Sequence, residues 1–134
     1  MESTYWRKQE PSKPLFPDIE WSRPEQKSQA GKLLIVGGNK LGFVSVATAY
    51  DIASQLRVGA VRALLPDALR TAIPPTILDT VFVPSNPSGG MSQQGSGLAM
   101  ASLQWCDHCL LIGDTGRNSE TAMLFEAMLA TDTP

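Results

Sequence analysis

Two short glycine-containing segments carry the side chains best suited to ligand chemistry. GGNKLG at 37–42 follows an apolar run and contains Lys40, and GDTGRN at 113–118 follows another and contains Arg117. Such turns expose backbone N–H groups, and the N-terminus of the following helix favours an anion. Lys40 and Arg117 are therefore candidate anion contacts, Arg117 with bidentate geometry.

Neither segment matches an established phosphate motif. The spacing at 37–42 is GGxxxG rather than GxGxxG, and no Gly-Lys-Ser/Thr follows it. Two carboxylates, Asp114 and Glu120, lie in or just after the second segment and suit a phosphate badly. A tight turn and a ligand loop both remain open for 37–42, as do a connector and a ligand loop for 113–119.

No complete catalytic or metal-binding set can be assembled from the sequence. The chain has one histidine, His108, inside the CxxC formed by Cys106 and Cys109. A single CxxC without a second pair is weak support for zinc, so structural cysteines are the preferred interpretation. There is no HExxH and no Ser-His-Asp set. We therefore assign no catalytic residue and no metal ligand.

The composition is that of one ordinary globular domain. The 134 residues are 43% hydrophobic and 18% charged, with a formal net charge of −2. The charge offers no basic surface for nucleic acid. No apolar run approaches the roughly 20 residues of a membrane span, and the N-terminus lacks a signal-peptide core. With only two cysteines, the expectation is a cytoplasmic protein without nucleic-acid or membrane partners.

The apolar pattern predicts an α/β fold in the order β-α-β-α-β-α-β-α. The predicted strands are 32–38, 60–66, 80–84 and 109–113, and the predicted helices are 44–57, 66–73, 98–105 and 119–130. Gly59 is a candidate C-terminal cap or tight turn, and Asn118 or Ser119 a candidate N-cap. This alternation predicts a parallel sheet with helices on both faces. Both glycine segments then lie at the carboxyl edge, where such sheets bind ligands.

The chain divides into an arm and a domain. Residues 1–30 are polar and proline-rich, whereas 31–134 carry the α/β pattern. Whether the aromatic residues of the arm dock on an apolar surface or belong to a free tail stays open; they are Tyr5, Trp6, Phe16 and Trp21. The loop at 85–97 is long enough to be either functional or flexible.

Three stretches together resemble the ADP- or ATP-dependent NAD(P)H-hydrate dehydratases. They are RPEQKSQAGKLLIVGGN at 23–39, LRVGAV at 56–61 and CDHCLLIGDTGRNSETAMLFEAMLATDTP at 106–134. The resemblance covers about residues 23–134. It implies part of a ribokinase-like domain, a three-layer parallel-sheet sandwich, with about four strands present.

The resemblance also implies a site and a reaction. Ala47, Gly113 and Gly116 match substrate-facing small residues, while Val46 and Asp114 replace a glycine and a proline of the family pattern. The substrate would be NADHX or NADPHX, with ADP or ATP as co-substrate and Mg²⁺ as a candidate ion. Family members commonly form homo-oligomers.

The family's Gly-x-Gly-Asp segment, which supplies the anion hole and the catalytic base, has no counterpart in these residues. The 134-residue chain alone is therefore expected to be inactive. Two alternatives stay open: part of a ribokinase-like small-molecule kinase, and a non-catalytic nucleotide-binding module.

Overall fold

The computed structural model describes residue 8 and residues 10–12, 14–18 and 22–132. Within these residues there are four strands: β1 Lys32–Val36, β2 Ala60–Pro66, β3 Thr80–Val83 and β4 His108–Leu111. There are three full α-helices: α1 Val44–Gln55, α2 Ser96–Trp105 and α3 Ser119–Leu129. Short 3-10 turns occur at Lys27–Gln29, Asp67–Leu69 and Gln93–Gly95. No helix in the described part is long and apolar enough to cross a membrane.

The four strands form one all-parallel sheet in the order β3-β2-β1-β4. In the centre, Ile35 of β1 lies opposite Ala63 of β2 and Leu110 of β4. The chain thus builds outward from β1 through β2 to β3, and then returns to place β4 on the other side of β1. The predicted α/β class with a parallel sheet is confirmed.

Alternate residues of the strands enter two separate cores, because successive side chains of a strand point to opposite faces. Ile35 and Leu65 pack against α1, whereas Leu34 and Leu64 pack against α2 and α3; all four are fully buried. Burying each such side chain contributes about 1.5–3 kcal/mol. Both faces are covered over the central strands β1 and β2, which explains why β1 is apolar from Leu33 to Val36 and β2 is apolar apart from Arg62.

The helix predicted at 66–73 is wrong, since only the 3-10 turn Asp67–Leu69 forms there. The Asp67 carboxylate accepts hydrogen bonds from the N–H (3.0 Å) and hydroxyl of Ser85, and Ala68 N–H donates to that hydroxyl (2.9 Å). The polar groups expected to start a helix therefore anchor the chain that follows β3. So short a segment has little helical stability of its own to oppose this.

The cap predicted at Gly59 lies elsewhere. Arg57 adopts the left-handed conformation that ends α1, with φ of +61°. Its N–H donates to Ser54 C=O (3.2 Å), and Val58 N–H donates to Ala53 C=O (3.3 Å). These two bonds form the Schellman pattern, in which glycine is the usual left-handed residue.

Gly59 serves a different purpose, which is close backbone approach. A Cβ at this position would lie 2.5 Å from the carbonyl oxygen of Lys27 and 2.6 Å from that of Gly31. No side chain fits between Gly59 and these two carbonyl groups, so a glycine is required here for close packing of the backbone rather than as a helix cap.

The N-terminal arm is described only in part. Tyr5, Trp6 and Trp21 lie outside the described residues. Phe16 is 70% exposed.

Candidate functional site

The strand order creates a switch point between β1 and β4. The chain leaves β1 through residues 37–43 toward α1 on one face, and leaves β4 through 112–118 toward α3 on the other. In open α/β sheets, ligands bind between two such diverging loops, outside the carboxyl ends of the strands. We call this region the switch-point crevice, and it holds both glycine segments singled out in the sequence.

The backbone N–H groups of the first glycine loop are all engaged within the protein. The six N–H groups of residues 37–42 donate at N···O distances between 2.7 and 3.4 Å. In order, their acceptors are the carbonyls of Leu64, Gly113, Gly42 and Gly89, the Asn39 side-chain oxygen and the Asn39 carbonyl. A phosphate could be cradled by this loop only at the expense of existing hydrogen bonds.

Two side chains bridge the crevice. The Asn39 amide donates to the Asp114 carbonyl (2.7 Å) and its oxygen accepts from Leu41 N–H (2.7 Å). The Asp114 carboxylate accepts from Ser45 N–H (2.9 Å) in the first turn of α1, where Phe43 at the N-cap supplies no side-chain bond. The loop after β4 thus provides the cap that α1 lacks locally.

Asp114 is held as an anion in an unusual backbone conformation. Its φ is +64°, a region that aspartate tolerates better than most residues. The hydrogen bonds from the backbone and then the side chain of Ser45 lower the pKa of its exposed carboxyl below the ordinary 3.8. A carboxylate at a helix N-terminus is also favoured by the helix dipole. Asp114 therefore remains ionised at neutral pH.

The long loop after β3 is fixed by buried polar contacts. Asn86 begins a turn closed by Gly89 N–H on its carbonyl (2.9 Å), and its side chain contacts Met91 C=O (3.0 Å) and Gly90 N–H (3.1 Å). The Thr121 hydroxyl donates to the same Met91 carbonyl (3.0 Å). Asn86 and Thr121 are only 5% and 3% exposed, so this loop is packed against α3.

The second carboxylate of the glycine segment, Glu120, is also a structural acceptor. It accepts from the Ser92 hydroxyl (2.9 Å) and from Gln93 N–H (3.3 Å), which fastens the 3-10 turn there to α3. Of the two N-cap candidates, Asn118 and Ser119, Asn118 is the N-cap, and its side chain accepts from Glu120 N–H (2.9 Å). The two carboxylates of the second glycine segment thus both accept hydrogen bonds from backbone amides.

The three predicted substrate contacts differ in their surroundings. Gly113 is exposed, and a Cβ there would meet no atom within 4 Å. Gly116 has φ of +75°, and its Cβ position lies 3.2 Å from the Asn39 side-chain nitrogen. Ala47 is half-buried in α1 and packs against the α1-side core. The structure therefore brings Gly113 and Gly116 to the crevice, with Ala47 in the helix that borders it.

The two predicted anion contacts, Lys40 and Arg117, are exposed. The methylene groups of the Lys40 side chain pack over Gly89, and the backbone N–H of Lys40 donates to the Gly89 carbonyl (2.8 Å). The ion pair found among the described residues joins Arg62 and Asp79. Lys40 and Arg117 therefore form no ion pair with a carboxylate of the described residues. Both stay predictions as anion contacts.

Both thiols of the CxxC segment have raised pKa values. Burial raises the pKa of Cys106, and burial followed by the neighbouring Cys106 raises that of Cys109 to about 11. Both cysteines are free. No group of three or more His, Cys, Asp and Glu side chains converges in the described ranges. These ranges therefore provide no ready-made site for Mg²⁺.

A separate concave surface lies at the opposite, amino-terminal edge of the sheet. It encloses about 740 Å³ and includes Arg23, Lys27, Leu56 and Arg57 in its lining. Neither glycine segment contributes to it. Because open parallel sheets bind ligands at the carboxyl ends of their strands, we place the candidate site at the switch-point crevice.

Asn39, Asn86 and Thr121 are not among the residues that the motifs predict. For Asn86 a signal exists, since Asn-Pro-Ser-Gly is a typical type I turn sequence. Asn39 follows two glycines at a strand end, but its partner Asp114 is 75 residues away. Local sequence carries no information on such a contact.

No protein-family model matches this chain, and no curated protein matches it. Support for a function therefore comes from the geometry of the crevice and from the sequence resemblance.

Proposed function

We propose that this chain forms the substrate-facing part of an NAD(P)H-hydrate dehydratase, which repairs NADHX or NADPHX with ADP or ATP. The observation that carries the proposal is the strand order. It sets the two glycine loops on either side of a switch point, the position where doubly wound sheets bind nucleotides. The residues matching the family's substrate contacts then lie in or beside one crevice.

The chemistry of the crevice suits an uncharged ring. Gly113 leaves open space where a side chain would otherwise project, so a flat group can approach the backbone. The N–H groups of 37–42 are already used, so this loop has no free backbone donor for a phosphate. The hydrated nicotinamide ring is neutral and carries a carboxamide that can exchange hydrogen bonds with exposed loop groups.

The residues of this chain would bind and orient the substrate. In the family, ADP or ATP supplies the phosphoryl group that activates the ring hydroxyl. The loop at 37–42 does not fit the phosphates of that nucleotide, since its N–H groups are internally bonded, and no acidic cluster converges for Mg²⁺ in the described ranges. We therefore expect the 134-residue chain to bind the hydrated nucleotide without turning it over.

Binding to the 134-residue chain tests the proposal. The chain is titrated with NADPHX, NADPH, ADP and ATP by calorimetry, comparing Gly113→Ala with the control Gly97→Ala. Neither added methyl group meets an atom within 4 Å, so both variants should fold. Since a misplaced methyl group in a fitted pocket costs about tenfold, Gly113→Ala should weaken NADPHX binding by about that factor and Gly97→Ala should leave it unchanged.

Two results would overturn the proposal. If ADP and ATP bind while NADPHX does not, a non-catalytic nucleotide-binding module is the better account. If NADPHX binds equally to both glycine variants and to the original chain, it binds away from Gly113 and the assigned crevice is wrong.

A further inference from the structure

We infer that Asp114 is a specificity-determining residue: its carboxylate makes the switch-point crevice reject phosphate and admit only the uncharged end of a nucleotide. The rejection of phosphate stands on contacts within the protein. The choice of the nucleotide's ring end rests on the proposed function.

The first glycine loop has no free backbone hydrogen-bond donor for a phosphate. A phosphate-binding loop offers several free N–H groups that point at the anion. Here all six N–H groups of 37–42 donate to internal acceptors. Two of them tie the loop to other parts of the site, from Gly38 to the Gly113 carbonyl (3.3 Å) and from Lys40 to the Gly89 carbonyl (2.8 Å). The loop is therefore closed on itself and on its neighbours.

The charge at the start of α1 also disfavours a phosphate. The first turn of α1 already holds an anion, because the Asp114 carboxylate accepts Ser45 N–H at 2.9 Å. A phosphate entering the crevice would find this favourable position occupied by the Asp114 carboxylate and would be repelled by its negative charge. Asp114 belongs to the loop after β4, so the anion at the N-terminus of α1 is supplied by the second loop of the crevice.

Two exposed cations belong to the same pair of loops. Lys40 and Arg117 carry positive charge at the mouth of the crevice, and no carboxylate among the described residues pairs with them. They can attract a phosphate to the outer surface of the two loops, while the exposed Asp114 carboxylate repels it from the start of α1. A nucleotide would then enter with its uncharged ring first, and its phosphates would stay outside.

Inorganic pyrophosphate is the direct probe, because it carries the charge without the ring. Backbone amide shifts of the 134-residue chain are followed by NMR at low salt, for the original protein, Asp114→Asn and the control Asp51→Asn. The asparagine at 114 keeps an oxygen to accept Ser45 N–H. Asp51 is an exposed carboxylate on the same helix, bonded to Gln55 (2.7 Å).

The expected result is specific to one variant. Two unit charges about 7 Å apart in water interact by about RT, so removing the Asp114 charge should raise the affinity for pyrophosphate about threefold for each negative charge that the ligand carries. Pyrophosphate should therefore shift the amides of Ser45 and 38–42 in Asp114→Asn at concentrations that leave the original protein and Asp51→Asn unaffected. The gain should shrink as salt is added. Asp114→Gly, which suits the positive φ, serves as a second variant if the asparagine form folds poorly.

Equal pyrophosphate binding at Ser45 in the original protein and the Asp114 variants would overturn the inference. So would a folded Asp114→Gly protein that binds no more pyrophosphate than the original. These outcomes are independent of the proposed function, because no nicotinamide compound is present. Conversely, failure of NADPHX to bind would remove the proposed function while the pyrophosphate result stood.

Discussion

Replacing Asn39 with alanine should loosen the two loops of the crevice and leave the sheet intact. The side chain is 8% exposed and makes two hydrogen bonds of 2.7 Å, one to the Asp114 carbonyl and one from Leu41 N–H. Each bond of this kind contributes about 1 kcal/mol net. The expected loss in unfolding free energy is therefore about 2 kcal/mol. For a chain of 134 residues this corresponds to a fall in Tm of about 7 °C.

Urea unfolding and hydrogen exchange test this value together. The control is Gln55→Ala, which removes an amide side chain with one exposed hydrogen bond, to Asp51, and should cost less than about 0.5 kcal/mol. In Asn39→Ala the N–H of Leu41 should exchange faster, while the β1 amides keep their protection up to the lowered global limit. If Asn39→Ala costs no more than Gln55→Ala, the amide does not hold the loops together and the account of the crevice fails.

Further predictions concern the backbone, the thiols and the Asp114 carboxyl. Arg57→Gly should raise the free energy of unfolding in urea by about 0.5–1 kcal/mol, because the φ of Arg57 is +61°. Gly59→Ala should lower it by more than about 2 kcal/mol, because the added Cβ would meet carbonyl oxygens at 2.5 and 2.6 Å. A destabilising Arg57→Gly and a stabilising Gly59→Ala would refute the assignment of the cap to Arg57. With a pKa of about 11 against an ordinary 9.0, Cys109 should react with iodoacetamide at pH 8 about 100-fold more slowly than an exposed thiol, and an ordinary rate would show that it is not buried in solution. The lowered pKa of Asp114 means that its stabilising contribution is present above the unfolded value of 3.8 and is lost as pH falls through the lower folded value. A carboxyl NMR titration with a midpoint at or above 3.8 would contradict the Ser45 contact.

The layered fold was accessible from sequence because its main signals are local. The strand patterns at 32–38 and 60–66 and the helical pattern at 44–57 need no distant partner to be recognised. The helix expected at 66–73 fails because Asp67 and Ala68 bond to Ser85, 17 or 18 residues away. Propensity describes what a segment prefers alone, and a tertiary hydrogen bond can override that preference.

The site was accessible only in outline. Its position followed from the glycines at strand ends, but its internal bonding did not. Asn39 and Asp114 are 75 residues apart, and Asn86 and Thr121 are 35 apart, so only the folded chain brings them together. Asp114 was recognised as unsuited to phosphate, yet its role as the cap of α1 depends on contact with Ser45 across the switch point. A carboxylate in a glycine loop can thus have a structural role, as the hydrogen-bond acceptor that caps a neighbouring helix.

The most direct test of the proposed function is an amide-resolved NMR titration of the 134-residue chain with NADPHX. We predict that shifts centre on Gly113, Gly116 and the first turns of α1 around Ala47, with smaller changes at the exposed cations Lys40 and Arg117. The absence of any shift at these positions, or shifts confined to the concave surface at the amino-terminal edge of the sheet, would contradict it.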